Sequence, residues 1–176
     1  MDNLLKQART ILVTTVPRWR TLTESVDETL LNRAPAPGEW SAADCLRHLV
    51  ETERNVFPVR VRCFLEEKDF PSFDPDAAAA LALADTRNPL ELADEFAALR
   101  SASLELLATL NEDDLGRTAK HAALGQVTLG QMLHEWAAHD LMHTVQGERA
   151  LMQPFIAGVG PWRSYFTDHL AKPASH

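Results

Sequence analysis

What the sequence lacks narrows it first. Lysine and arginine together number 17 against 25 aspartate and glutamate, a formal charge of −8, and no basic run occurs anywhere. Gripping a phosphate backbone needs a stripe of cations, so nucleic acid is not an expected partner. Only Cys45 and Cys63 are present, too few for a disulfide-stapled scaffold and in keeping with a reducing compartment. The longest early apolar segment, Thr10-Ile-Leu-Val-Thr-Thr-Val16, is too short to cross a bilayer and has no cleavage signal after it. The expected location is therefore cytoplasmic, with no membrane partner. Strand-like alternation, internal repeats and low-complexity tracts are also missing.

What is there is ordinary globular composition, 45% apolar and 24% charged over 176 residues. That length fits a single domain spanning 1–176 with one substantial core. Residues 3 to about 24 read as a helix capped by Asp2 or Asn3, with Pro17 either kinking it or opening a second helix. A short turn over 27–32 and the loop Arg33-Ala-Pro-Ala-Pro-Gly38 follow. Ser41 with Asp44 predicts a helix from 42 to about 67, with Leu46, Leu49, Val50, Phe57, Val61 and Phe64 on one face and a bend at Pro58. On a straight helix of that length Cys45 and Cys63 would stand roughly 27 Å apart, too far to bridge.

A crossover over 68–87, whose alanine run suits a short helix, leads to Asn88-Pro89-Leu-Glu91. That motif starts a helix to about Leu110 whose buried side is Leu92, Phe96, Leu99, Ser103, Leu106 and Leu110. A polar connector runs to Gln126, and Thr128 with Gln131 opens a last long helix expected to end near Met152, before Pro154. A terminal segment over 161–168 is expected to be helical and to dock its aromatics. Four long helices with one long crossover predict an all-α four-helix bundle.

The last helix carries the residues best suited to chemistry. His139 and His143 are one turn apart, about 40° around the axis, so they share a face and can grip one ion. Glu135, Trp136, Met142 and Gln146 lie within about 60° of His139, whereas His134 falls about 140° away and cannot join the pair. A third imidazole has to come from His48, His121, His169 or His176. His48 is favoured, because it sits at the core edge of a regular helix among polar neighbours. Three histidines from two helices would make an open site with room for water or substrate. Imidazole donors alone do not name the metal.

Trp40-Ser41, His48-Leu-Val-Glu51-Thr-Glu53, Phe73-Asp-Pro-Asp76, Arg100 and His134-Glu-Trp-Ala-Ala-His139-Asp-Leu-Met-His143-Thr-Val-Gln146, in that order and spacing, resemble the DinB-like family of metal-binding four-helix bundles. The likeness spans residues 17 to about 165. It implies the metal triad His48, His139 and His143, an up-down-down-up bundle, a divalent metal such as zinc or nickel, and homodimers. It also implies thiol-dependent transfer chemistry, in which the metal activates a low-molecular-weight thiol. Despite the shared name it does not imply a DNA polymerase, and the acidic balance agrees.

Two functional classes follow. One is a metal-dependent thiol S-transferase or hydrolase acting on a small electrophile, with Glu51 and Glu135 as candidate proton carriers. The other is a non-catalytic bundle tied by its metal, with a binding or stress-response role. Cys45, although on the His48 side, reads as a buried inert thiol, and Arg100 as half of an ion pair rather than a substrate clamp. Trp136, Met132 and Met142 read as core, and Asp140 and Gln146 as neighbours of the pair rather than ligands.

Overall fold

The computed structural model describes residues 3–72 and 74–171, with the side chains of 75, 76 and 79 left aside. Asp2, Phe73 and His176, named above as a cap, part of the family pattern and a candidate imidazole, lie outside the described residues. Helix α1 (Leu4–Ser25) starts where the Asn3 side chain accepts the Lys6 amide and runs unbroken through Pro17. The single turn α2 (Glu28–Leu31) follows. The expected helix from 42 to 67 is two, α3 (Ala42–Asn55) and α4 (Phe57–Leu65). Val56 between them has φ −119 and ψ −72, and Pro58 stands in the first turn of α4, where its missing N–H has no helical partner to lose. Pro58 thus starts a helix rather than bending one.

Helix α5 (Pro75–Leu83) occupies the crossover, and α6 (Pro89–Ala108) begins in a capping box between Asn88 and Glu91. The connector contains a 3-10 turn over Glu112–Gly116 and a hairpin, β1 (Thr118–His121) paired antiparallel with β2 (Gly125–Thr128). The expectation of no strands is corrected here. Four-residue strands are too short to show alternation, and the turn is made by Gly125 at φ +74 rather than by a two-residue hairpin signature. Helix α7 (Leu129–Gly158) passes through Pro154 instead of ending before it. Buried Ala150 on one side and Ile156 on the other hold the axis across the lost hydrogen bond.

Side-chain pairings give the directions. Leu4 lies beside Gly130 and Trp19 fills the space over Gly147, so α1 and α7 run parallel. His48 meets His139 and Phe57 stacks on Trp136, so α3 and α4 run antiparallel to α7. Arg20 pairs with Asp94 and Arg100 reaches the Leu12 carbonyl, so α6 runs antiparallel to α1. The result is an up-down-down-up four-helix bundle. α1 and α3 each pack against both α6 and α7.

The interior has two apolar clusters, one around Leu12, Phe57, Phe64, Leu107 and Trp136, the other around Trp19, Leu46, Leu49, Leu92 and Phe96. Arg100 sits at their junction, its guanidinium 4.8 Å from the Phe96 ring and 5.6 Å from Trp136. The buried face of α6 is therefore Leu92, Phe96, Arg100, Ser103 and Leu107, while Leu99, Leu106 and Leu110 are only half-buried. The last segment, Gly160–His169, is 3-10 helical, but two of its three aromatics do not dock: Trp162 and Tyr165 are exposed, and Phe166 is half-buried.

Candidate metal centre

The capping box of α3 fixes where His48 falls. The Ser41 hydroxyl accepts the Asp44 amide at 3.1 Å, and the Asp44 carboxylate accepts the Ser41 amide at 3.0 Å. His48 then comes four residues after Asp44, on the polar edge of the helix. In α7 the matching box between Thr128 and Gln131 sets the phase of His139 and His143. Because the helices are antiparallel, the three rings meet at one level. His48 Nε2 lies 3.0 Å from His139 Nε2. The three side chains offer ring nitrogens that all lie within 4.8 Å of one another. Exposed His134 points away, His121 lies on β1, and exposed His169 lies at the end of the chain's last 3-10 segment.

Aromatic walls enclose the cluster. Trp40 stacks on His143 with centroids 5.7 Å apart and leans on His48 at 5.0 Å, while Phe57 presents its edge to His139 at 5.1 Å. Sequence reasoning named Trp40 only as part of the family pattern and placed Phe57 on the apolar face of its helix. The available signal for Trp40 was its place immediately before the helix cap. His143 Nδ1 lies 2.9 Å from Gln146 Oε1, and an amide oxygen only accepts, so the proton is on Nδ1 and the Nε2 lone pair is free. Burial pushes His48 down to about 4 and His139 to about 3, and holds His143 below its ordinary value as well. All three are neutral near pH 7, the form in which imidazole binds metal.

The residues fit a metal on this geometry. Tetrahedral imidazole ligands at about 2.0–2.1 Å set their nitrogens about 3.3 Å apart, and right-angled ones about 2.9 Å, a range that includes the observed 3.0 Å. A proton shared between His48 and His139 would explain two rings, but not the arrival of the third. His48 Nδ1 and His139 Nδ1 are buried without a hydrogen-bond partner. Among the described residues no fourth histidine, cysteine or carboxylate joins the group, which leaves the arrangement open in the manner of catalytic rather than structural sites.

The candidate proton carriers lie beside the triad without bonding to it. Glu51 accepts from Arg54 and Asn55 at 3.2 and 2.8 Å. Glu135 stands one turn before His139, and partial loss of water raises its carboxyl pKa against the pull of Arg60. Cys45 is buried and its thiol is pushed up to about 12, so it is inert near neutral pH. Met142 is exposed, not core, whereas Trp136 and Met132 are buried as expected. Arg100 and Asp140 are both buried, and Arg100 pairs with both Asp140 and Glu53.

A model of the DinB superfamily matches residues 11–146. The chain belongs to the DinB superfamily. Its fold is similar to that of YfiT from Bacillus subtilis, "a probable metal-dependent hydrolase with an unusual four-helix bundle topology", at 18% identity and a TM-score of 0.76 over 88% of this chain and 89% of that one. It is also similar to a mycothiol-dependent maleylpyruvate isomerase, at 15% identity and a TM-score of 0.63 over 92% of this chain and 72% of that one. At such identities the likeness shows the fold alone. No curated protein sequence matches the chain. No helix is long and apolar enough to cross a membrane among the described residues.

Proposed function

We propose that this DinB-superfamily protein is a metal-dependent enzyme whose His48, His139 and His143 hold one divalent ion, zinc or nickel. The carrying observation is the convergence of three neutral imidazoles from α3 and α7 with no fourth protein ligand among the described residues. Such an ion supplies Lewis-acid chemistry, lowering the pKa of a low-molecular-weight thiol or a water so that it attacks a small electrophile. Trp40 and Phe57 wall the site and limit water on two sides. Gln146 orients His143. Glu135 is the better-placed proton carrier of the two glutamates, because Glu51 is already engaged by Arg54 and Asn55 while Glu135 shares the α7 face with the triad.

The S-transferase-like reading rests on the resemblance of the family and on the fold shared with a thiol-dependent isomerase. Both cysteines are free, which supports a reducing, cytoplasmic setting. Exposed Leu141, Met142 and Val145 along α7 support a homodimer. The test has two steps. Elemental analysis of tag-free protein is expected to find near-stoichiometric metal that is lost in His139→Ala/His143→Ala; equal metal in both would sink the triad. With metal restored, conjugation of glutathione, bacillithiol or mycothiol to a generic electrophile is expected. No metal-dependent turnover with any of the three would favour a metal tie between helices without catalysis.

A further inference from the structure

The three imidazoles are aimed at one point, but they are not held there by the same means. A histidine ring turns about a broad, weakly preferred χ2, and a turned ring takes its lone pair off the shared point. In metal sites the ring is ordinarily fixed from behind, its other N–H given to a carboxylate, a carbonyl or water. Of the three, His143 has such a partner, its Nδ1 2.9 Å from Gln146 Oε1. His48 Nδ1 and His139 Nδ1 are buried and meet no acceptor among the described residues.

What does meet those two rings is aromatic. Phe57 lies 5.1 Å from His139 and is itself stacked on buried Trp136 at 5.0 Å. Trp40 lies 5.0 Å from His48 and 5.7 Å from His143, tilted by 53° to the first ring and by only 22° to the second. It therefore packs on ligands from two different helices at once. Its own place is set by the start of α3, because it immediately precedes Ser41, whose capping box with Asp44 fixes the chain where it enters the helix. A rigid indole anchored there and lying across to α7 couples the angle of one ring to that of the other.

We propose that Trp40 is a positioning residue for the triad, orienting His48 by packing in place of a hydrogen-bonded acceptor and keeping it in step with His143, a role that rests on the three histidines binding a metal. The indole works through its flat contact area. Another ring should replace it in large part, and a flexible aliphatic side chain should not.

Cobalt(II) and zinc are the probes, titrated into metal-free, tag-free, full-length protein. Cobalt reports the coordination geometry through its visible absorption, and competition between the two ions gives the zinc affinity. Trp40→Leu is expected to lose about tenfold or more in zinc affinity, the loss typical of removing an outer partner of a metal-ligating histidine, and to weaken and shift the cobalt absorption. Trp40→Phe should recover most of both. Trp40 is half-buried at a helix entry, so neither replacement is expected to unfold the bundle, which circular dichroism checks; Trp40→Met serves if Trp40→Leu does. Unchanged affinity and absorption in the aliphatic variant, or a Trp40→Phe no better than it, would overturn the positioning role and leave the triad standing. Wild type that takes up no cobalt, or no more than His139→Ala/His143→Ala does, would overturn the metal reading and the role of Trp40 with it.

Discussion

Two polar clusters share α3 and α7, and they are finished to different degrees. Glu53 follows His48 on α3 and Asp140 follows His139 on α7, so both clusters draw on neighbouring residues. Around Arg100 every donor is used. Nε and one terminal nitrogen bond Glu53 at 2.9 and 2.8 Å, both terminal nitrogens bond Asp140 at 2.7 and 3.1 Å, and the remaining N–H bonds the Leu12 carbonyl at 2.8 Å. The guanidinium's five donors are exhausted. In the triad, by contrast, two ring nitrogens face each other at 3.0 Å and the opposite nitrogens of those rings have no partner. A closed network braces helices. A cluster of converging, unused lone pairs is arranged for something to bind.

The largest effect should come from breaking the closed cluster. Arg100→Ala leaves two carboxylates buried without their cation, and is expected to cost about 3–5 kcal/mol in denaturant unfolding. Replacing the whole network with apolar groups, Arg100→Met with Glu53→Leu and Asp140→Leu, should recover most of that loss, because no uncompensated charge remains. A loss below about 1 kcal/mol for Arg100→Ala would mean that the network does not brace the bundle.

The open cluster should behave in the opposite way, responding more to what is added than to what is removed. Zinc at one hundred times its dissociation constant is expected to stabilise the wild type by about 2.7 kcal/mol, read as a rise in melting temperature that a chelator reverses. His139→Ala/His143→Ala should abolish the rise while leaving metal-free stability near that of the wild type. A large loss in that metal-free variant would show the imidazoles to be core braces like Arg100 and would erase the contrast.

What was legible in the sequence was local. Ser41 with Asp44, Asn88 with Glu91 and Thr128 with Gln131 each announced a helix start through side chains three residues apart, and all three boxes form. Proline was not legible, because its outcome depends on packing. Pro58 begins a helix, whereas Pro17 and Pro154 are carried through theirs by buried residues on both sides. The helical wheel excluded His134 correctly and put His139 and His143 on one face. Nothing local could show that His48, ninety-one residues upstream, stands opposite them; its place at the polar edge of a helix favoured it over the other histidines, and the family pattern implied the pairing. The burial of Arg100 was hidden for the same reason, since its partners lie 47 and 40 residues away in sequence.

Acid should act on the triad as well. Burial holds His48 near 4 and His139 near 3, below the ordinary 6.5. Between those values and 6.5 the unfolded chain binds more protons than the folded one, so stability rises with pH through this window. It is fully present above 6.5 and is lost as pH falls toward 4. Bound metal would add to the slope in the same direction, since protons and metal compete for the same lone pairs. Urea midpoints of metal-free protein at pH 7.5, 6 and 5 should therefore fall faster for the wild type than for His48→Gln/His139→Gln, in which neither side chain titrates. The Arg100 network is common to both proteins and cancels in the difference. Parallel curves would show that the two imidazoles are not held neutral by the fold, and the triad would lose the property that best suits it to a metal.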